Sequence, residues 1–320
     1  MNCFKPFYPK NFCRDFIEIK GNPAQLMLFM ALVLGLKPFM DIWIEKKRLK
    51  DFAKMCKNYG LYLKVDCLFK KVSQKKVKNK IIGGNTLTST VCYGLPEEVD
   101  SEDKAHVFVS KDKNLIKKGM WYPVIIKDRV FWPPRADMLN YGYVLGYPDC
   151  CIKFFQKYNN WAFYSYLYQV YRNSKKYSYL ANPLLKDDYY SYIYHMPCSF
   201  GCKKTINYAK QLRKEIKKRE PEFIKKVDGK LKLSFLVFYE KKIYAFKGKL
   251  LSKKELVYSE VYFVNAEPER NTYMEELVKG NRIKLNGKIV DVYRDKEKVS
   301  TIKTSKESFA PESPFLIKLN

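Results

Sequence analysis

Four cysteines in two close pairs constrain the fold of this chain more than any other feature: Cys150 and Cys151 in GYPDCCIKFF, and Cys198 and Cys202 in HMPCSFGCKK. Each pair is expected to open a helix. If the pairs form one site, the chain must carry two separate helix starts to the same point. Exposed amide N–H groups and the helix dipole stabilise negative charge at such ends, which favours thiolate, the form that binds metals and attacks electrophiles.

Cys150, Cys151, Cys198 and Cys202 supply the ligand number that a tetrahedral metal or an iron–sulfur cluster needs. Zinc knuckles prefer ligands separated by two residues, whereas here one pair is adjacent and the other has three residues between. Adjacent side chains on a helix point about 100° apart. An iron–sulfur cluster is therefore favoured over zinc, with a reactive dithiol as a third reading and four packed, inert thiols as the bland one. Cys198-x-x-x-Cys202 also matches the first half of the cysteine motif of radical S-adenosylmethionine enzymes, but Thr205 stands where the third cysteine belongs, so that chemistry does not carry over. His195 is a candidate acid/base or fifth ligand, or a hydrogen-bonded structural histidine. Cys3, Cys13, Cys56, Cys67 and Cys92 read as small packed side chains, and the odd total of nine argues against a disulfide framework.

Sixty-one Lys and Arg against 33 Asp and Glu give a formal net charge of +28. Such a field attracts polyanions, and 26 tyrosines offer stacking surfaces, so RNA is the expected partner. Lys203, Lys204, Lys210, Lys214, Lys217 and Lys218, on the helix after the second pair, are the candidate phosphate contacts. The competing explanation is compositional, since A/T-rich genomes and growth at high temperature both enrich lysine. No signal peptide is visible, and the apolar run from Leu26 to Leu36 falls short of the roughly 20 residues that cross a bilayer, so the expected location is cytoplasmic, without a membrane partner. Phosphate-binding loops, HExxH and GxSxG are absent, which removes support for common nucleotide hydrolases, zinc proteases and serine hydrolases.

The expected class is α+β: an N-terminal α/β domain over 1–139, a central helical cysteine module over 140–228, and a small antiparallel β domain over 229–320. Helical spacing predicts two helices between Pro23 and Gly60, followed by a strand alternating through Leu61, Val65 and Phe69. YPVIIKDRVFW predicts a hairpin turning at Lys127-Asp128. A second helix of the central module carries Ile206, Ala209, Leu212 and Ile216 as its apolar stripe. Asn286-Gly287 predicts a hairpin with positive φ at both residues, and FLIKL near the end of the sequence is expected to dock back.

Gly146-Tyr147-Pro148-x-Cys150-Cys151-x-x-Phe154-Phe155 and His195-x-Pro197-Cys198-Ser199-x-x-Cys202 together resemble the archaeal domain of unknown function 483 family, over roughly Tyr141 to Leu212. The resemblance implies a shared cysteine site and an archaeal, cytoplasmic origin; it implies no substrate. The resulting expectation is a metal- or iron–sulfur-binding protein that binds or modifies RNA. The alternatives are a thiol- or metal-dependent enzyme acting on a small metabolite and a non-catalytic structural zinc protein.

Overall fold

Antiparallel strands build the two larger sheets of the computed structural model, and the chain divides into two units, residues 11–147 and residues 1–10 together with 148–320. The structure describes residues 4–73, 85–89, 104–117, 124–126, 129–131, 142–158, 166–185, 190–239, 242–264, 273–303 and 314–320. Helices and antiparallel strands coexist in both units, as an α+β class requires. The expected domain boundary at 139 and the turn at Lys127-Asp128 lie outside the described residues, as do Cys3 and Cys92. Among the described residues, no helix is long and apolar enough to cross a membrane.

In the unit 11–147, strands β1 (Phe39–Glu45), β2 (Tyr62–Ser73), β3 (Asn85–Ser89) and β4 (Lys104–Ser110) pair antiparallel in the order β1-β4-β2-β3. Helices α1 (Arg14–Lys20), α2 (Leu26–Val33), α3 (Leu49–Asn58) and α4 (Lys113–Ile116) belong to the same unit. A short hairpin of β5 (Val124–Ile126) and β6 (Arg129–Phe131) belongs to it as well. Two helices were expected between Pro23 and Gly60, but α2 and α3 have β1 between them. In β1, Met40, Ile42 and Ile44 are buried while Asp41, Trp43 and Glu45 are half-buried, a period of two that fits a strand. Gly60, at φ +66°, follows the end of α3 in the left-handed region open to glycine.

The other unit begins its helical part with α5 (Asp149–Tyr158) and α6 (Tyr166–Arg172). The long helix α7 (Lys203–Arg219) and helix α8 (Pro221–Leu231) follow. Ala209, Leu212 and Ile216 of α7 are fully buried, each large aliphatic side chain contributing about 1.5–3 kcal/mol of transfer free energy. Thr205, not Ile206, occupies the first buried turn of the helix. Arg213 donates from Nε and a terminal nitrogen to the Asp228 carboxylate (2.6–3.0 Å), which also accepts from the Tyr192 hydroxyl at 2.8 Å, so α7, α8 and the segment before the second cysteine pair are held together. Helix α8 runs through Gly229 to Leu231, placing the change from helix to strand beyond the expected 228/229 boundary.

Strands β7 (Ser234–Tyr239), β8 (Lys242–Ser252), β9 (Glu255–Phe263), β10 (Arg282–Asn286), β11 (Ile289–Arg294), β12 (Glu297–Lys303) and β13 (Phe315–Lys318) form a seven-stranded antiparallel sheet in the order β12-β11-β10-β9-β8-β7-β13. The FLIKL segment does dock back, as β13 along the edge of β7. A short helix α9 (Met274–Leu277) places Met274 and Leu277 in the same buried core as Tyr258, Ile283 and Val292 of the sheet. The β10–β11 turn is shifted by one residue from expectation. Asn286 pairs with Ile289, Gly287 and Lys288 are the central residues, and only Gly287 has positive φ (+60°), the type II′ rather than the type I′ pattern.

Candidate metal centre

The first cysteine pair sits in the opening turn of α5. Pro148 precedes the helix, and its carbonyl accepts from the backbone N–H groups of Cys151 (2.8 Å) and Ile152 (3.0 Å). The second pair lies on a turn whose last residue, Cys202, is the N-cap of α7. That turn is held from outside: Asn173 donates from Nδ2 to the Cys198 carbonyl at 2.7 Å, and the Phe200 N–H donates to Ser174 Oγ at 2.7 Å. A Cβ at Gly201 would come within 3.0 Å of the Lys176 carbonyl, so the approach of the 174–178 segment to this turn favours glycine.

The four sulfurs converge. Sγ–Sγ separations are 3.9 Å for Cys150–Cys151, 3.7 Å for Cys150–Cys202 and 3.8 Å for Cys151–Cys202, and all four ligand atoms, Cys198 included, lie within 4.8 Å of one another. Cys151 and Cys202 are buried, Cys150 and Cys198 half-buried. The two adjacent cysteines meet at one point because they stand in a first turn. Side chains lean toward the N-terminus of their helix, so at its open end both can curl over the terminus instead of diverging around the cylinder.

The surroundings favour negative sulfur. Two helix N-termini face the group, and the Cys198 N–H donates to Cys151 Sγ at 3.3 Å. Hydrogen bonds from Cys151 and Cys198 depress the Cys202 thiol far below its usual value, while hydrogen bonding to Cys198 and Cys202, with burial, pushes the Cys151 thiol up. At Cys198 the hydrogen bond with Cys151 lowers the value, but its bond to Cys202 and burial leave it raised to about 12. A soft cation would displace protons from these thiols, so its affinity rises with pH. Four converging, partly ionised thiols fit a thiophilic metal ion.

His195 lies outside the sulfur group. It is buried, and its Nε2 is 2.9 Å from Thr205 Oγ1, which is in turn 3.5 Å from Cys151 Sγ. The contact joins histidine to sulfur through the threonine. Thr205 is the residue that motif reasoning set aside. Its position three residues after Cys202 on one helix face is the sequence signal that places it at the site. Nothing in the sequence marks Asn173 or Ser174.

The candidate lysines all prove exposed: Lys203, Lys204, Lys210, Lys214, Lys217 and Lys218. Lys203, Lys210, Lys214 and Lys217 recur at helical spacing along one side of α7. Lys204 Nζ pairs with Asp149 Oδ2 of α5 at 3.4 Å, and Lys218 Nζ with Glu215 Oε1 at 2.6 Å, exposed pairs of small energetic weight. Of the cysteines read as packed, Cys13 and Cys56 are buried, and burial, with the charge of Asp15, pushes the Cys56 thiol up to about 12, as expected of an inert core thiol. Comparison of the chain with family models, with curated proteins and with solved structures finds no match.

Proposed function

We propose that this is a metalloprotein in which Cys150, Cys151, Cys198 and Cys202 hold one tetrahedral ion, zinc in the first instance, and that the ion fixes the start of a lysine-bearing helix used to bind RNA. The observation that carries the metal assignment is the sulfur spacing. A zinc–sulfur bond of about 2.3 Å places tetrahedral ligands about 3.8 Å apart, against separations of 3.7, 3.8 and 3.9 Å among three of the sulfurs. An iron–sulfur cluster distributes its thiolates over two or more irons, which spreads them beyond a single ion's tetrahedral edge. The spacing thus favours one ion over the cluster that the sequence alone suggested.

Four protein thiolates leave no open coordination position, the arrangement of a structural rather than a catalytic zinc. Two motifs resemble those of the archaeal family named above, and they coincide with the two sulfur-bearing turns, which supports reading the centre as that family's common feature. The RNA reading draws its support from the exposure of all six candidate lysines on α7, whose N-cap is itself a sulfur ligand.

Elemental and sulfide analysis of anaerobically purified protein tests the metal. The expected result is about one zinc per chain and no sulfide, with most of the metal lost in Cys151→Ser or Cys198→Ser and none lost in Cys56→Ser. Stoichiometric iron with sulfide would replace the single ion by a cluster. Full retention in both ligand variants would overturn the four-ligand centre.

A further inference from the structure

A second site lies away from the sulfur group but within the same unit. It is a cleft of about 480 Å³, inside the roughly 300–1,000 Å³ span of small-molecule sites. Three stretches of chain line it: Lys5 and Phe7 from the N-terminal segment, Lys226, Gly229 and Lys230 from α8, and Lys247 and Tyr262 from β8 and β9. Four ammonium groups around one opening repel one another. Lys226 and Lys230, at i and i+4, also set like charges side by side on their helix. Glu260 meets this group: Lys247 Nζ engages it at 2.8 Å, as does the Tyr262 hydroxyl, and the charge of Lys230 also acts on it.

The aromatic walls are held firmly. Phe7 stacks on Tyr190 with centroids 4.3 Å apart, and Tyr262 on Phe4 at 4.7 Å. Lysine nitrogens stand by both rings, Lys226 at 5.7 Å from the Phe7 centroid and Lys230 at 4.8 Å from that of Tyr262. Gly229 supplies an observation that lysine-rich composition does not. It sits inside a helix, where glycine is unfavourable, yet a Cβ there would meet nothing within 4 Å. Packing does not ask for glycine at this position. The residue is exposed and borders the cleft.

We propose that this cleft binds a nucleotide unit, the phosphates on Lys5, Lys226 and Lys230 and the base against the aromatic walls. Phosphate recognition by lysine and base stacking on aromatic rings are the two interactions by which nucleotides are held without sequence readout. An inorganic phosphate alone would leave the rings without a role. The same chemistry is offered by a free nucleotide and by the phosphorylated end of a single-stranded RNA. The site is separate from the lysine side of α7, so the two can fail independently.

Titration calorimetry on the full chain, with ADP, inorganic pyrophosphate and 5′-phosphorylated hexauridylate as probes, tests the proposal. ADP or the hexanucleotide should bind at least about tenfold more tightly than pyrophosphate. The tighter of those two probes identifies the source, free nucleotide or RNA end. Gly229→Leu should fill the cleft and weaken binding by about tenfold or more while the thermal midpoint holds or rises, because leucine is the better helix former. Lys5→Gln, at an exposed position, should weaken binding and reduce its salt dependence. No binding by any of the three probes, pyrophosphate equal to ADP and the hexanucleotide, or wild-type affinity in both Gly229→Leu and Lys5→Gln would overturn it.

Discussion

Lys37 sits at only 5% exposure, its ammonium donating to the Leu145 carbonyl and lying 4.2 Å from the centre of the Tyr147 ring. Burial lowers its pKa from 10.5 to about 7, partly opposed by the charge of Asp41. The unfolded chain keeps this proton up to about 10.5, while the folded chain releases it near 7. Between those values the unfolded state binds more protons, so stability should rise with pH, by up to about 1.4 kcal/mol per unit from this residue. Denaturant titrations of wild type and Lys37→Met at intervals from pH 7.5 to 9.5 should diverge by that slope; parallel curves would show that Lys37 keeps its proton in the fold. None of this is legible in the sequence, where Lys37-Pro38 reads as the end of an apolar run. A partner as distant along the chain as the Leu145 carbonyl leaves no local trace. The cysteines are the opposite case. Their pairing at two helix starts made convergence legible, whereas the geometry within the group depended on how side chains fold over a helix end.

Helix α7 is where sequence and structure agree most closely. Its buried Ala209, Leu212 and Ile216 and its exposed lysines follow from a period of 3.6, a local property that survives without knowledge of the rest of the fold. If this helix holds RNA, reversing Lys210, Lys214 and Lys217 to Glu should reduce the slope of log affinity against log salt by about 2 to 3 units, one contact contributing roughly 0.7 to 0.9. An unchanged slope would exclude this side of the helix even if affinity fell. Strand β1 shows why other elements were harder to read. Met40–Glu45 alternates over six residues, but it follows a helix that is apolar on nearly every side, and in that context period two is easily taken for a continuation. The Asn286-Gly287 turn was found but misplaced by one residue, because a hairpin signal fixes the vicinity of a turn and the pairing of β10 with β11 fixes its register.

At the scale of the molecule, the sulfur centre and the sheet of β1 to β4 belong to different units, each with its own buried residues. If the sulfurs hold an ion, its removal should therefore act unevenly. Hydrogen exchange on the full chain with a strong chelator should lower protection in α5 and the first turn of α7 by at least about tenfold, since a structural ion contributes binding free energy directly to folding. Amides of β1 and β4 should change little; an equal loss there would mean that the units unfold as one. The whole-molecule plan was legible only in outline. Local periodicity can announce an α+β chain, but it cannot assign Met1–Lys10 to the same unit as 148–320, because that assignment rests on contacts such as Lys10 N–H to Glu220 Oε2 at 2.9 Å.

The seam between β7 and β13 has a bearing on how the molecule is made. Strands β7 to β12 follow one another through the sheet, so most of it can assemble from neighbouring hairpins as the chain leaves the ribosome. The outer edge of β7, with Phe235, Leu236 and Val237 in the core, must wait for Phe315–Lys318, which comes after strands β7 to β12 along the chain. Throughout that interval the nascent protein carries an uncovered, apolar strand edge, the template on which chains on the same message would pair with one another. A chaperone that occupies that edge would shield the chain over that interval.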